Sequence, residues 1–459
     1  MKTLIVIFTT CVMSSLAGQI QDKAARIDSV FSSLHQQDQF SGNVLIAENG
    51  KAIFQKSYGK AFREQNRDLN SESLFELASV SKQFTAMGIM VLKKQGKLKY
   101  EDSLRKFFPE LPYYGITVRQ LLNHTSGLPD YMELAAKHWD STKIMTNDSM
   151  IRLLAEKKPE IHFRPGEQWE YSNTGYALLG SIIEKASGQH FAQFMAKNVY
   201  QPAGMKRTQV YHKRLEQRTI DNYAYGYVKD AKRGYVMADS SAVEKTTVYS
   251  LDGIFGDGIT NSSTTDLLKW DQALYREKLV SKQMMAEAFT PGRLNNGKPT
   301  EYGFGWLLKQ TEPFGEIQYH SGGWPGYVTY IERHPRQNKT IIILANAGSA
   351  NGKIATVRNI LYDLKVKPRI KITPQEKILQ QYVGSYQFSK NNILKITVEE
   401  GKLMGQVNDH TPHELHAEAE DLFFRADRDF SIRFVKDTAG KVTKLQIIQE
   451  GPTMEAEKM

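Results

Sequence analysis

Cysteine is almost absent from this chain: among 459 residues there is one, Cys11. A single thiol cannot close a disulfide within the chain, and zinc or iron–sulfur sites built on cysteine need several, so both are excluded. Massed charge of one sign is also missing. The 60 Lys and Arg against 50 Asp and Glu leave a net +10, but the basic residues are scattered and no nucleic-acid-binding motif accompanies them. Nucleic acid is therefore not an expected partner, and the surplus reads as a solvated basic surface with weak attraction to an anionic cell envelope. Low-complexity tracts and internal repeats are lacking too, which excludes fibrous and solenoid architectures. What remains is an ordinary globular balance, 41% hydrophobic and 24% charged, in a chain long enough for two or three domains.

The N-terminus has its own pattern. Lys2 precedes the apolar run Leu4–Phe8, which continues through Cys11, Val12 and Met13 to the small residues Ser14, Ser15, Ala17 and Gly18. A positive start, a short apolar stretch and a small-residue end describe a secretory signal peptide over residues 1–18. The stretch is short for a membrane span, which takes about 20 apolar residues, and no later run reaches that length. Cleavage near Ala17 or Gly18 removes Cys11 and leaves a periplasmic or secreted protein without thiol chemistry. A lipid anchor on Cys11 lacks the usual leucine and small-residue approach.

Gln21 to His35 has apolar residues at helical spacing and predicts a helix. Gly42–Ala47 and Lys51–Tyr58 flank Asn49-Gly50, a hairpin signal. Helical patterns follow at 82–94 and 176–186, then strand-like runs at 326–332 and 340–345 and a helix near 353–364. Strands at both ends with helices between them predict one antiparallel sheet assembled from distant segments and flanked by helices, an α/β (α+β) domain over residues 19–364. The basic, proline-interrupted stretch 365–374 reads as a linker. Beyond it, short alternating runs at 393–399, 402–407, 422–426, 431–435 and 442–448 predict a small all-β domain, 375–459, as a barrel or sandwich.

Ser-x-x-Lys occurs three times, at Ser57/Lys60, Ser79/Lys82 and Ser103/Lys106, so the pattern alone decides nothing. Only Ser79 stands at the start of a long apolar helix. There, residues three apart share a face, so the Lys82 amine can reach the Ser79 hydroxyl. The helix start offers N–H groups to a developing oxyanion, and an apolar setting disfavours the ammonium and suits lysine to act as a base. Two later patterns join it. Tyr171-Ser172-Asn173 supplies a phenol able to relay a proton and a carboxamide able to hold an amine or a substrate amide. His320-Ser321-Gly322-Gly323, before a strand at Tyr327, has the small residues that let a substrate backbone pair as an added strand.

In this order, Ser79-Val80-Ser81-Lys82, Tyr171-Ser172-Asn173 and His320-Ser321-Gly322 resemble the motifs of the serine β-lactamase and penicillin-binding-protein family. The likeness is to its class C and D-alanyl-D-alanine carboxypeptidase-like branch. The stretches Phe75–Ala86, Leu121–Pro129 and Trp169–Tyr176 are similar as well, and the resemblance covers about residues 22–364. It implies an antiparallel sheet with flanking helices and an all-helical lobe, followed by a lipocalin-like barrel. It implies that Ser79 attacks a carbonyl, that Lys82 and Tyr171 move the proton, and that Asn173 positions base and substrate. By the same likeness the backbone N–H groups of Ser79 and Gly323 form an oxyanion hole, and no cofactor or metal is called for. The substrate implied is a small molecule or peptide: a β-lactam or D-amino-acid peptide-like amide. Esterase, D-aminopeptidase and non-catalytic penicillin or muropeptide binding stand as alternatives. The third motif departs from the family's usual lysine, and His320, only partly charged near neutral pH, weakens carboxylate binding.

Other candidates point to structure. His124 reads as a support of the site. His410, His413 and His416 lack the carboxylates or helical spacing of a metal site. Ser263 to Asp266 reads as a capping box. Tyr223, Tyr225 and Tyr227 alternate as a strand face would, either bordering the cleft or packing in the core.

Overall fold

The structure, a computed structural model, describes residues 3–365, 369–389, 392–408, 412–426, 430–449 and 454–459. The chain forms two compact units, Phe31–Ser349 and a second made of Met1–Val30 with Ala350–Met459.

The first unit is organised by an antiparallel sheet whose spatial order is β3-β4-β5-β6-β1-β2. Its strands are β1 (Phe40–Glu48), β2 (Lys51–Tyr58), β3 (Leu307–Thr311), β4 (Gly315–Trp324), β5 (Tyr327–His334) and β6 (Lys339–Gly348). The hairpin β1–β2 turns through Asn49 at φ +51° and Gly50 at φ +71°, the two left-handed residues that a tight primed turn demands. The near-continuous apolar run in β6 sits beside β1, with Val44 opposite Ile343, and Thr340 to Ala347 are all buried. A strand covered on both faces has no polar face to alternate with, which explains that unbroken pattern.

Helices fill the long insertion between β2 and β3. After α1 (Thr3–Gln36), the two that matter here are α2 (Lys82–Lys94) and α3 (Asn173–Ser187). Every residue of α2 from Lys82 to Leu92 is buried, as an all-round apolar helix requires. Gly88 of α2 permits close approach to α3, because a Cβ there would stand 2.8 Å from Ile183 Cδ1. Ser172 caps α3 by accepting from the Gly175 N–H at 3.1 Å, and left-handed Gly188 ends it.

In the second unit, eight antiparallel strands close into a barrel: Gly384–Ser389, Asn392–Glu399, Lys402–Val407, His413–Ala417, Leu422–Phe424, Phe430–Lys436, Val442–Gln449 and Met454–Lys458. Pairing of Tyr386 with Lys458 joins first strand to last, so the all-β domain is a barrel and not a sandwich. The strands at 384–389, 413–417 and 454–458 are absent from the periodicity reading. Met454–Lys458 shows why: Glu455 and Glu457 face outward and Ala456 alone is buried, which is too little apolar signal for a short segment. The interior is filled, with Tyr382 stacked on Phe434 at 4.0 Å among Tyr386, Ile396, Phe423 and Leu445.

The predicted helix at 21–35 lies within α1. Among the described residues no helix is long and apolar enough to cross a membrane. His410 lies outside the described residues. His416 Nδ1 is 3.1 Å from Glu414 Oε1, and the described residues contain no group of three or more potential metal ligands.

Candidate active site

The chain reaches Ser79 through a strained step. Ala78 adopts φ +48°, a left-handed conformation unfavourable for a residue with a Cβ, and opens a single 3-10 turn, Ala78–Ser81, that runs into α2. The preceding Phe75–Glu76 pairs with Thr260–Ser262, and Leu77 donates its N–H to the Thr260 carbonyl at 2.8 Å. From the other side, Thr329 Oγ1 of β5 donates to the Leu77 carbonyl at 2.6 Å. Gly322 lies so close to this turn that a Cβ would be 2.3 Å from Leu77 O and 3.1 Å from Ser79 N. The glycine is there for contact between backbones.

Lys82 is fully buried, and its amine has three partners: Ser79 Oγ at 3.1 Å, Asn173 Oδ1 at 2.9 Å and the Asp257 carbonyl at 2.9 Å. The segment carrying Asp257 is held by Thr85, which donates to the Gly256 carbonyl at 2.7 Å, and by Asn147, whose Oδ1 accepts from Phe255 N–H at 2.9 Å. The Tyr171 ring lies 4.9 Å from Lys82 Nζ and 6.1 Å from the His320 ring. Its hydroxyl is buried and has no hydrogen-bond partner among the described residues. Thus Ser79, Lys82, Tyr171 and Asn173 are brought together from segments far apart in the chain.

The His320 motif sits within β4, and not just ahead of a strand. Pairing of β4 with β3 ends at Tyr319, opposite Leu307, whereas pairing with β5 continues to Trp324. His320 to Trp324 therefore forms a half-open edge, with Ser321 and Gly323 exposed. His320 itself points inward. Its Nδ1 donates to the Ser321 carbonyl at 2.7 Å and its Nε2 accepts from Tyr302 Oη at 2.9 Å. Since a carbonyl can only accept, this pair of contacts fixes the neutral tautomer. Burial, with the Lys82 charge adding to it, lowers the His320 pKa to about 3. The partial charge expected near neutral pH is thus removed by desolvation.

His124 is a support, as its setting suggested. Buried at φ +58°, it accepts the Ser172 N–H on Nδ1 at 3.1 Å and packs against Tyr171 and Tyr302 at 4.4 Å each. Burial, with the Lys82 charge adding to it, holds its pKa well below the usual value. The other serines have plain tasks. Ser103 caps a short helix, Lys106 pairs with Asp102 at 2.8 Å, and Lys60 pairs with Asp68. Ser263 caps its helix, but Asp266 does not return the bond; its carboxylate accepts from Arg207 and Thr208 instead. Tyr223 and Tyr227 are core residues, and Tyr225 stacks on Phe62 at 4.3 Å.

An open cleft of about 160 Å³ exposes Ser79, Asn173 and Gly323, walled by Met132, Leu251, Ile254, Ile259 and Trp324. Three polar residues in its lining were not singled out from the sequence: Glu76, Tyr131 and Asp257. Burial raises the Glu76 pKa to about 7 and raises that of Asp257, whose Oδ2 accepts from Tyr131 Oη at 3.0 Å. No spacing rule marks them. The only signal was Glu76 in the Phe75–Ala86 stretch.

This arrangement has known counterparts. The Beta-lactamase family model matches residues 27–362, and a second model, a domain of unknown function (DUF3471), matches residues 368–458. Penicillin-binding protein 4* of Bacillus subtilis (strain 168) is 42% identical over 425 residues, spanning 90% of this chain and 94% of the relative. In fold the chain is similar to the octameric penicillin-binding protein homologue from Pyrococcus abyssi, with a TM-score of 0.65, 24% identity, and coverage of 94% of this chain and 99% of the other. It is also similar to the D-amino acid amidase from Ochrobactrum anthropi SV3 complexed with L-phenylalanine amide, with a TM-score of 0.60, 23% identity, and coverage of 74% and 96%. With the family model spanning most of its length, the chain belongs to the Beta-lactamase family of penicillin-binding-protein-like serine hydrolases.

Proposed function

We propose that this protein is an exported serine hydrolase that forms an acyl-enzyme on Ser79, acting on β-lactam or D-amino-acid peptide-like amides. The observation that carries this reading is the set of three contacts around Lys82 Nζ. Asn173 Oδ1 and the Asp257 carbonyl can only accept, so they hold two N–H bonds of the Lys82 amine and fix its direction. The remaining position of the amine is aimed at Ser79 Oγ, 3.1 Å away. As Oγ attacks the substrate carbonyl carbon, its proton passes to Lys82. The oxyanion is met by the backbone N–H groups of Ser79 and Gly323, with Asn173 and the half-open β4 edge from His320 through Ser321 and Gly322 aligning the substrate. Tyr171, its hydroxyl without a partner among the described residues, delivers a proton to the leaving nitrogen when the tetrahedral adduct collapses and is reprotonated by Lys82. Water then releases the acyl group and restores Ser79.

A second reading, esterase or D-aminopeptidase, draws on one observation: His320 is neutral and turned to Tyr302, where a carboxylate-binding group is usual. Export rests on the pattern of residues 1–18, and the division into 19–364, a 365–374 linker and 375–459 belongs to the same proposal. The filled interior supports a structural task for the lipocalin-like barrel.

The test is intact-protein mass spectrometry with a penicillin, a fluorophosphonate and a short-chain nitrophenyl ester, on wild type and Ser79→Ala. A covalent adduct on wild type alone is expected. No adduct from any of the three overturns the reading.

A further inference from the structure

The direction of the Lys82 amine depends on two acceptors carried by different segments, Asn173 Oδ1 and the Asp257 carbonyl, each at 2.9 Å. Both segments have supports set back from the acceptors. Thr85 holds the Gly256 carbonyl, and Asn147 ties Phe255 to the Ala177 carbonyl of α3 at 2.9 Å, a turn beyond Asn173. Closer to the amine, a third segment joins the two acceptors.

That segment is Pro129–Met132, at the start of a helix, Tyr131–His138, capped by the Asp130 side chain. On one side it grips the opening of α3. Thr174 Oγ1 donates to the Pro129 carbonyl at 2.7 Å and accepts the Tyr131 N–H at 2.8 Å. Asn173 Nδ2 lies 3.7 Å from Met132 Sδ, a weak N–H···S contact that leaves Oδ1 of the same carboxamide turned to Lys82. On the other side, Tyr131 Oη donates to Asp257 Oδ2 at 3.0 Å. Tyr131 is buried, and that burial, with the Asp257 and Asp130 charges adding to it, raises its pKa well above the ordinary value. The phenol therefore keeps its proton and remains a donor. One residue thus holds Asp257 by its hydroxyl and the neighbour of Asn173 by its main chain. Asp257 is the sole hydrogen-bond partner of that hydroxyl among the described residues, so the hydroxyl acts on the amine only through Asp257.

We infer that Tyr131 is a positioning residue for acylation: by bonding Asp257 and the start of α3 together, it fixes the spacing of the two acceptors and so the aim of Lys82 at Ser79. This rests on the reading of Lys82 as the base for Ser79. Placement matters here because a reacting group displaced by about 1 Å can lose 10²-fold in rate.

Tyr131→Phe removes the hydroxyl and keeps the ring. Labelling of the full-length protein by a fluorophosphonate, followed by intact mass over a range of probe concentrations, separates the maximal labelling rate from the half-saturating concentration. The maximal rate should fall about tenfold or more in Tyr131→Phe, with the half-saturating concentration changed less than about twofold. Asp257→Ala should lose a similar amount. The double variant should be no more than about twofold slower than the slower single one, because the hydroxyl works through that carboxyl. Asp257→Asn, whose carboxamide oxygen still accepts from the phenol, should recover about fivefold or more of the Asp257→Ala loss. A hydroxyl that only stabilises the fold would lower the thermal midpoint and leave the labelling rate of folded protein unchanged. A wild-type rate in folded Tyr131→Phe, a change confined to the half-saturating concentration, or losses that multiply in the double variant overturn the inference. Should Tyr131→Phe fail to fold, Asp257→Ala against Asp257→Asn decides, and equal rates in that pair overturn it. Labelled wild type with indifferent variants sinks this inference alone, whereas wild type that is never labelled at Ser79 sinks the acyl-enzyme reading and this inference with it.

Discussion

The groups packed around Ser79 in the first unit and those inside the barrel are both buried, yet they are made of opposite material. Around Ser79 the buried groups are Lys82, His124, Glu76 and Asp257, each costly to desolvate. Inside the barrel they are Tyr382, Tyr386, Ile396, Phe423, Phe434 and Leu445, where burial is favourable throughout. Selection for stability alone produces the second kind of interior. The first is kept at a cost to stability, which is the mark of a place where chemistry is done.

The comparison breaks most visibly at Lys82. Lys82→Met should lower ester hydrolysis by about 10³-fold or more while the thermal midpoint holds or rises, since a buried amine is replaced by an apolar chain. A loss of rate accompanied by an equal loss of stability would place Lys82 with the structural groups. In the barrel the reverse is expected. Phe434→Ala should cost about 3–5 kcal/mol in denaturant unfolding of that unit, with the rate of Ser79 labelling unchanged. Gly322→Ala is intermediate. Its Cβ would meet Leu77 O and Thr329 Oγ1 at 2.3 Å each and push β4 from the nucleophile turn, for a loss of about 10² in kcat/KM.

The smallest effect is on pH dependence, and its two parts have opposite sign. His320 is held neutral, with a pKa lowered from 6.5 to about 3. Between those values the unfolded chain binds more protons, so stability falls as pH drops below about 6.5, and His320→Gln should flatten that limb. Glu76 is raised from 4.5 to about 7. Here the folded protein binds more protons, so the contribution is full below about 4.5 and lost as pH rises through about 7, and Glu76→Gln should remove the loss. Calorimetric midpoints from pH 4 to 8 check both.

Legibility followed the range of the physics. Helix α2, the Asn49-Gly50 hairpin and the apolar β6 run are local patterns and were readable. So were Ser79, Lys82, Tyr171 and Asn173, because their motifs carry their own helix starts. Ser57 and Ser103 share the Ser-x-x-Lys spacing, yet Ser57 lies in β2 and Ser103 caps a short helix, so spacing needed the later motifs to mean anything. Glu76 and Asp257 were not readable as cleft residues. Each reaches the wall through pairing of distant segments, Phe75–Glu76 with Thr260–Ser262 in one case and the Lys82–carbonyl bond in the other.

By itself, then, the sequence determined the chemistry available: a serine with a lysine a helical turn away at the head of an apolar helix, a phenol, a carboxamide and a glycine-rich strand, with no disulfide to hold them. Only the tertiary structure decided the electrostatics. It buried His320 until it lost its charge, gave the Lys82 amine three partners and brought Glu76 and Asp257 into the cleft lining. Motifs are set by neighbours along the chain, but desolvation and charge balance are sums over neighbours in space, and those exist only once the chain has folded.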